Sequence, residues 1–177
     1  MIKPQKKSVI VDTNVAVIAN GHSEQASPEC VINCIERLEE IIKYKNEKLV
    51  LDNQRQIINE YEQELRKGEP CFGNAFLKWV FDNYWESQSC EFISISSGGL
   101  DEFPKDLELS RFHKHDIKFV AVSISHPSHP PILQAVDSLW WGFKDALERN
   151  GIRVEFICKD DIQQSYNRKT KRKRSQK

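Results

Sequence analysis

The sequence has no apolar run that approaches the roughly 18 residues of a membrane-spanning helix. Its first residues, Met-Ile-Lys-Pro-Gln-Lys-Lys, lack the hydrophobic stretch of a signal peptide. Internal repeats are absent as well. These absences argue against membrane, secreted and repeat proteins, and we expect a cytoplasmic protein without a membrane partner.

The cysteines lack a recognisable spacing. They are five in number, and none of them forms a Cys-x-x-Cys pair. The pattern therefore predicts neither a disulfide framework nor a zinc knuckle. Cys30 and Cys34 lie four residues apart on a predicted helix, where buried packing is favoured over metal binding.

Charge is balanced overall but unevenly distributed. Seven of the 26 basic residues lie in 168–177, which contains no acid, so the rest of the chain has 19 basic against 26 acidic side chains. A basic segment without apolar residues cannot fold alone. We therefore predict one domain over 1–166 and a disordered tail over 167–177, which either contacts phosphates of nucleic acid or only aids solubility. The nucleic-acid-binding candidates are Arg168, Lys169, Lys171, Arg172, Lys173 and Arg174.

Strand and helix patterns alternate along the chain. Apolar runs predict strands over 8–11, 48–51, 90–96, 132–136 and 152–157. Apolar positions at helical spacing and capping residues predict helices over 27–44, 53–65, 76–85, 116–124 and 143–149. At 177 residues, this order predicts a single α/β domain with three layers, α/β/α, around a mainly parallel sheet.

Acidic residues follow several of these strands. Asp12, Asp52 and Asp137 come at strand ends, and Asp116 begins a predicted helix as its N-cap. Carboxyl ends of parallel strands meet at one edge, so we expect the acids to converge there, with Asp52 serving mainly as a helix N-cap. Crowded carboxylates repel one another unless a hard cation such as Mg²⁺ or Mn²⁺ lies between them. The reaction class that this indicates is metal-assisted phosphodiester hydrolysis.

Four segments carry a resemblance to a known family. They are Val-Ile-Val-Asp-Thr-Asn-Val at 9–15, Ile-Asn-Glu-Tyr at 58–61, Asp-Ile-Lys-Phe-Val-Ala-Val at 116–122 and Asp-Ser-Leu-Trp at 137–140. Together they resemble the four blocks of the PIN domain, over roughly residues 7 to 158. The resemblance implies a small α/β, metal-dependent nuclease acting mostly on RNA. Many bacterial members are toxins of toxin-antitoxin pairs, which implies a cognate inhibitor protein or a homodimer as partners.

The resemblance also assigns site residues. It places Asp12, Glu60 and Asp116 as the three metal-binding acids, with Asn14 beside the first and Asp137 as a supporting fourth. These four acids would hold Mg²⁺ or Mn²⁺ and activate the attacking water. Glu60 depends on the resemblance alone, because its helical phase would make it a solvated residue.

Two alternatives stay open. Family members commonly have Ser or Thr and Asn before the fourth acid and another Asp two residues after it, whereas this chain has Ala135, Val136 and Leu139 there. The thinned block favours a catalytically weak PIN-like module that binds nucleic acid or protein. A haloacid-dehalogenase-like phosphatase would need a second acid where Asn14 stands, and no Gly-Asp-x-x-x-Asp follows.

Overall fold

A computed structural model describes residues 6–21, 23–44 and 46–174. Its strands are β1 (Lys7–Val11), β2 (Glu47–Asp52), β3 (Cys90–Ile93), β4 (Ile132–Gln134) and β5 (Val154–Phe156). Its α-helices are α1 (Thr13–Ala19), α2 (Pro28–Glu39), α3 (Gln56–Leu65), α4 (Phe72–Asp82), α5 (Ile117–Ser125), α6 (Ser138–Arg149) and α7 (Lys159–Arg174). A π-helical turn, Glu40–Tyr44, continues α2.

The five strands form one sheet in the order β3-β2-β1-β4-β5, and every pairing is parallel. The predicted three-layer α/β fold with a parallel sheet is therefore confirmed. β1 lies at the centre, where Val9 is opposite Leu49 of β2 and Val11 is opposite Leu133 of β4. Consecutive β1 residues, from Val9 to Val11, are fully buried, as expected of a strand covered by helices on both faces.

The strand order reverses direction at β1. The chain moves from β1 outward to β2 and β3, and then returns to the other side of β1 with β4 and β5. In open α/β sheets, the carboxyl ends of the two strands beside such a reversal border a crevice, because their connections run to opposite sides. The residues after β1 and β4 are therefore the ones that the fold places for ligand binding.

Two α-helices in the described part of the chain were not predicted. α1 begins directly after β1, where the sequence shows only a short apolar run before Asn20 and Gly21. α7 extends to Arg174, so the prediction of a disordered tail is wrong for residues 167–174, and residues 175–177 lie outside the described part. Asp160 and Asp161 in the first turn of α7 favour the positive end of its dipole, and Lys and Arg are good helix formers once that turn is anchored.

Packing anchors α7 along α6. Ile162 is buried, and a Cβ atom at Gly142 of α6 would come 3.0 Å from the ring of Tyr166. Lys169 donates from Nζ to the Ser138 hydroxyl at 2.8 Å. α6 itself begins at Ser138, earlier than the predicted 143, so that Asp137 lies at its N-cap rather than at the end of a strand.

A tight glycine contact fixes the position of α5. Gly99 has φ +73° in the turn after β3, a backbone conformation that favours glycine. A Cβ there would come 2.4 Å from Cβ of Ala121 and 3.2 Å from Cα of Lys118. The turn therefore packs directly on the helix that follows Asp116. No helix in the described part of the chain is long and apolar enough to cross a membrane.

Candidate active site

Asp12 lies between the end of β1 and the start of α1. It is 4% exposed, and its Oδ1 accepts a hydrogen bond from the Asn14 backbone N–H at 2.9 Å. Burial raises the pKa of Asp12 well above its ordinary value, and the charges of Asp116, Glu60 and Asp137 raise it further. The Asn14 N–H acts in the opposite direction without outweighing them.

Asp116 precedes α5 at the N-cap position. Its carboxylate makes no capping hydrogen bond, so the prediction that it caps the helix is wrong in that respect. Burial, followed by the charges of Asp137 and Glu60, raises the pKa of Asp116 from 3.8 to about 7, although Lys118 lowers it. The His113 imidazole lies beside it, with Nδ1 3.7 Å from Oδ2.

Asp137 caps α6 and follows β4, the strand next to β1 in the sheet. Its Oδ1 accepts from the Leu139 backbone N–H at 2.8 Å. Asn14 connects the two sides, because its Oδ1 accepts from the Val136 backbone N–H at 2.9 Å. The predicted supporting residue thus links the start of α1 to the segment between β4 and α6.

Glu60 lies on α3 and points toward the starts of α1 and α5. Its Oε1 accepts from the Thr13 hydroxyl at 2.6 Å, and its Oε2 accepts from Nζ of Lys118. Lys118 is only 7% exposed and also donates to the His115 carbonyl oxygen. Glu60 is therefore not the solvated residue that its helical phase suggests, since a hydroxyl and an ammonium hold it in place.

We call Asp12, Glu60, Asp116 and Asp137 the acidic edge. Each of the other three carboxylates contributes to raising the pKa of Asp12, so the structure brings the four predicted acids into electrostatic contact. Asp52 is not part of this set. Its carboxylate accepts from the backbone N–H groups of Gln56 and Ile57 at the start of α3, although the N-cap position itself is held by Arg55 and not, as predicted, by Asp52.

The carboxylates of the acidic edge are not all close enough to bind one metal ion directly. Within the described ranges, no three acids bring an oxygen each within 4.8 Å of one another. Mg²⁺ and Mn²⁺ take oxygen ligands, and Mg²⁺ retains several of its waters, so the donor set suits such a cation without three direct carboxylate contacts. Asp12 and Asp116 are the better candidates to hold it, because Glu60 already has a cationic partner.

Sequence reasoning missed Lys118. The signal was present, because Lys118 is the only charged residue in the otherwise apolar run 117–124. A charge in an apolar helix is expensive to bury unless it is paired, which indicates a specific partner. In the structure that partner is Glu60.

The basic candidates lie on α7. Lys169 reaches Ser138, the residue after Asp137, which places one cation beside the acidic edge. Arg168 is exposed and donates to the Gln164 carbonyl of its own helix. Lys171 and Arg172 are exposed on the same helix, and the side chains of Lys173 and Arg174 lie outside the described part.

The cysteine prediction needs correction. Cys30 and Cys158 form a disulfide across 128 residues of sequence, which the absence of a Cys-x-x-Cys pair did not predict. Cys34 is buried as expected, and its Sγ lies 3.9 Å from that of Cys158. The pairing escaped prediction because the two cysteines meet only through the packing of α2 against the start of α7.

No family model, curated protein or solved structure matches this chain.

Proposed function

We propose that the protein is a divalent-cation-dependent nuclease that hydrolyses phosphodiester bonds, with RNA favoured over DNA as substrate. The single observation that carries the proposal is the acidic edge. Burial and mutual repulsion raise the pKa values of Asp12 and Asp116 at the reversal point of the sheet. Such a site is costly when every acid is ionised and no cation is near, so a divalent cation would relieve it.

The protein's own groups have separate roles in this proposal. Asp12 and Asp116 would hold Mg²⁺ or Mn²⁺, with Asp137 close by. Lys118 and Thr13 keep Glu60 in one orientation through its two carboxylate oxygens. The cation would supply charge neutralisation at the phosphate and a more acidic water.

Two further observations support nucleic acid as the substrate. The basic helix α7 packs along α6 and brings Lys169 next to the residue that follows Asp137. An acidic catalytic edge beside basic residues allows the phosphate backbone to approach despite the acids. The four segments that resemble the PIN domain include all four residues of the acidic edge, and that resemblance favours RNA.

The test uses labelled single-stranded RNA, single-stranded DNA and duplex DNA with Mg²⁺ or Mn²⁺. We expect RNA cleavage by the wild type and a loss of at least about 100-fold in Asp12→Asn and Asp116→Asn, as for other removed electrostatic groups in active sites. Asp145→Asn removes an exposed acid of α6 and serves as the matched control. Equal cleavage by all four proteins would indicate a contaminating nuclease and overturn the proposal.

A second function is a binding module with little catalytic activity. It is favoured by the Lys118–Glu60 ion pair, which occupies one predicted metal ligand, and by the fact that no three acids in the described part bring an oxygen each within 4.8 Å of one another. Calorimetry with Mn²⁺ separates the two functions. Binding that disappears in Asp12→Asn supports the nuclease, whereas nucleic-acid binding without any such Mn²⁺ binding supports the module.

A further inference from the structure

Three cysteines meet where α2 packs against the start of α7. Cys30 and Cys34 are one turn apart on α2, and Cys158 immediately precedes α7. Their exposed fractions are 2%, 0% and 5%, and the three sulfur atoms all lie within 4.8 Å of one another. We call these residues the cysteine cluster. It is distinct from the acidic edge in both residues and chemistry.

The spacing of the sulfurs matches a thiolate metal site. A tetrahedral zinc ion with Zn–S bonds of about 2.3 Å holds its ligand sulfurs roughly 3.8 Å apart. The Cys34 and Cys158 sulfurs already lie at 3.9 Å. The Cys30 sulfur lies within 4.8 Å of the other two, and once its bond to Cys158 is opened the Cys30 and Cys158 sulfurs have to separate to a similar spacing.

The fourth position of such a site is open to water, because no carboxylate in the described part has an oxygen within 4.8 Å of all three sulfurs. Asp161 lies one turn after Cys158, and its Oδ2 accepts from the Ser27 backbone N–H at 2.6 Å. An open cavity of about 400 Å³ is lined by Cys30, Cys158 and Asp161, among others, and provides access from solvent. Thiolates with a carboxylate or a water in the fourth position suit zinc, and soft sulfur ligands disfavour Mg²⁺.

We propose that the reduced protein binds one Zn²⁺ ion through the thiolates of Cys30, Cys34 and Cys158, with water as the fourth ligand. A disulfide alone would need only two of these cysteines. The third, Cys34, is fully buried, and the distance between its sulfur and that of Cys158 is close to the spacing of two zinc-bound sulfurs. The alternative, in which Cys34 only fills space beside a structural disulfide, is an outcome of the test.

The two states of the cluster exclude each other. A thiol reductant gives two electrons and two protons to the Cys30–Cys158 bond, which yields two protein thiols and the oxidised disulfide of the reductant. Zinc binding then forms three S–Zn bonds and releases three thiol protons. In a compartment that keeps thiols reduced, the metal-bound state replaces the disulfide in joining α2 to α7.

The test uses the full chain, reduced with a phosphine that is then removed. Zn²⁺ is titrated in competition with a chromophoric chelator, and Co²⁺ reports thiolate ligands through its sulfur-to-metal charge-transfer band. We expect one ion per chain and the charge-transfer band in the reduced wild type. Cys34→Ser should weaken zinc binding by more than about 100-fold, which exceeds the effect of losing a residue that only hydrogen-bonds to a metal ligand. Cys71→Ser removes an exposed free thiol outside the cluster and should bind as the wild type does.

The oxidised wild type provides a comparison that needs no substitution. It should bind Zn²⁺ far more weakly than the reduced protein, because two ligands are consumed by the disulfide. Retention of all the zinc by the chelator, or a cobalt spectrum that Cys34→Ser leaves unchanged, would overturn the proposal and leave Cys34 as a packing residue. Loss of Mn²⁺ binding at the acidic edge has no bearing on this result, since the two sites share no residue.

Discussion

The acidic edge and the cysteine cluster are built alike, but they differ in how closely their side chains approach one another. Each brings together side chains from parts of the chain that are distant in sequence. The three sulfurs lie within 4.8 Å of one another, and two of them are bonded, whereas no three acids in the described ranges come as close. Neutral sulfur atoms can pack and bond, but carboxylates in a buried site repel one another. Proximity is therefore favourable in one cluster and costly in the other.

The cysteine cluster should make the larger contribution to stability. Under oxidising conditions, we expect Cys30→Ser to lower the free energy of unfolding by about 2–5 kcal/mol, because the disulfide closes a long loop in the unfolded chain. The disulfide spans 128 residues of sequence, and longer closed loops are expected to give larger stabilisation. Urea unfolding with and without a reductant measures the effect. Reduction should remove most of the difference between the two proteins when Zn²⁺ is absent.

Cys34→Ser is the matched variant for this measurement. It replaces a buried sulfur of the same cluster and leaves the disulfide intact. Under oxidising conditions, it should therefore lower the free energy of unfolding clearly less than Cys30→Ser does. Equal losses for the two variants would mean that packing, and not the covalent bond, dominates at this junction.

The acidic edge should behave in the opposite way, so that removing a group stabilises the protein. In metal-free buffer at pH 8, we expect Asp116→Asn to raise the free energy of unfolding by about 1–4 kcal/mol, from a pKa shift between 3.8 and about 7 at 1.36 kcal/mol per unit. The substitution removes a buried charge from the neighbourhood of Asp12 and Asp137. Chemical denaturation measures it, with Asp145→Asn as the exposed control. A destabilised Asp116→Asn would show that the carboxylate has a structural role.

The same shift fixes how stability depends on pH. The folded state holds the Asp116 proton more tightly than the unfolded state, so stability from this group is fully present below about pH 4 and is lost as pH rises toward about 7. Asp12, whose pKa is also raised, acts in the same direction. Thermal unfolding of the metal-free protein from pH 4 to 8 measures the decline. Mn²⁺ should reverse it at pH 8, and an equal decline in Asp116→Asn would contradict the assignment.

Lys118 should moderate this repulsion. Its charge lowers the pKa of Asp116, so we expect Lys118→Met to move the pH-dependent loss of stability to higher pH. Lys67→Met is the control, because Lys67 is exposed and ion-paired with Glu64 at the C-terminal end of α3. The pH at which metal-free stability declines measures the shift. Identical dependence of stability on pH in the two variants would mean that the charge of Lys118 does not affect the acidic edge.

The contrast also explains what the sequence could predict. The position of Asp12 at a strand end and the parallel sheet could be predicted, because both follow from apolar patterns within short segments and from the order of those segments. The Lys118–Glu60 and Cys30–Cys158 pairs are separated by 58 and 128 residues, and they depend on how helices pack, which no local pattern encodes. α7 was missed for a related reason. Its charged composition resembles a disordered tail, and its order comes from tertiary contacts such as Tyr166 against Gly142.

The smallest effect is expected where the basic helix borders the acidic edge. Lys169→Ala should weaken single-stranded RNA binding modestly and reduce the slope of log affinity against log salt by about 1, as for the loss of one phosphate contact. Lys67→Ala, which removes an exposed lysine paired with Glu64 on α3, should leave the slope unchanged. Filter binding over a salt series measures both, using Asp12→Asn protein to prevent cleavage. An unchanged slope in Lys169→Ala would mean that its contact with Ser138 only anchors α7, and that the cation beside the acidic edge has no part in holding the nucleic acid.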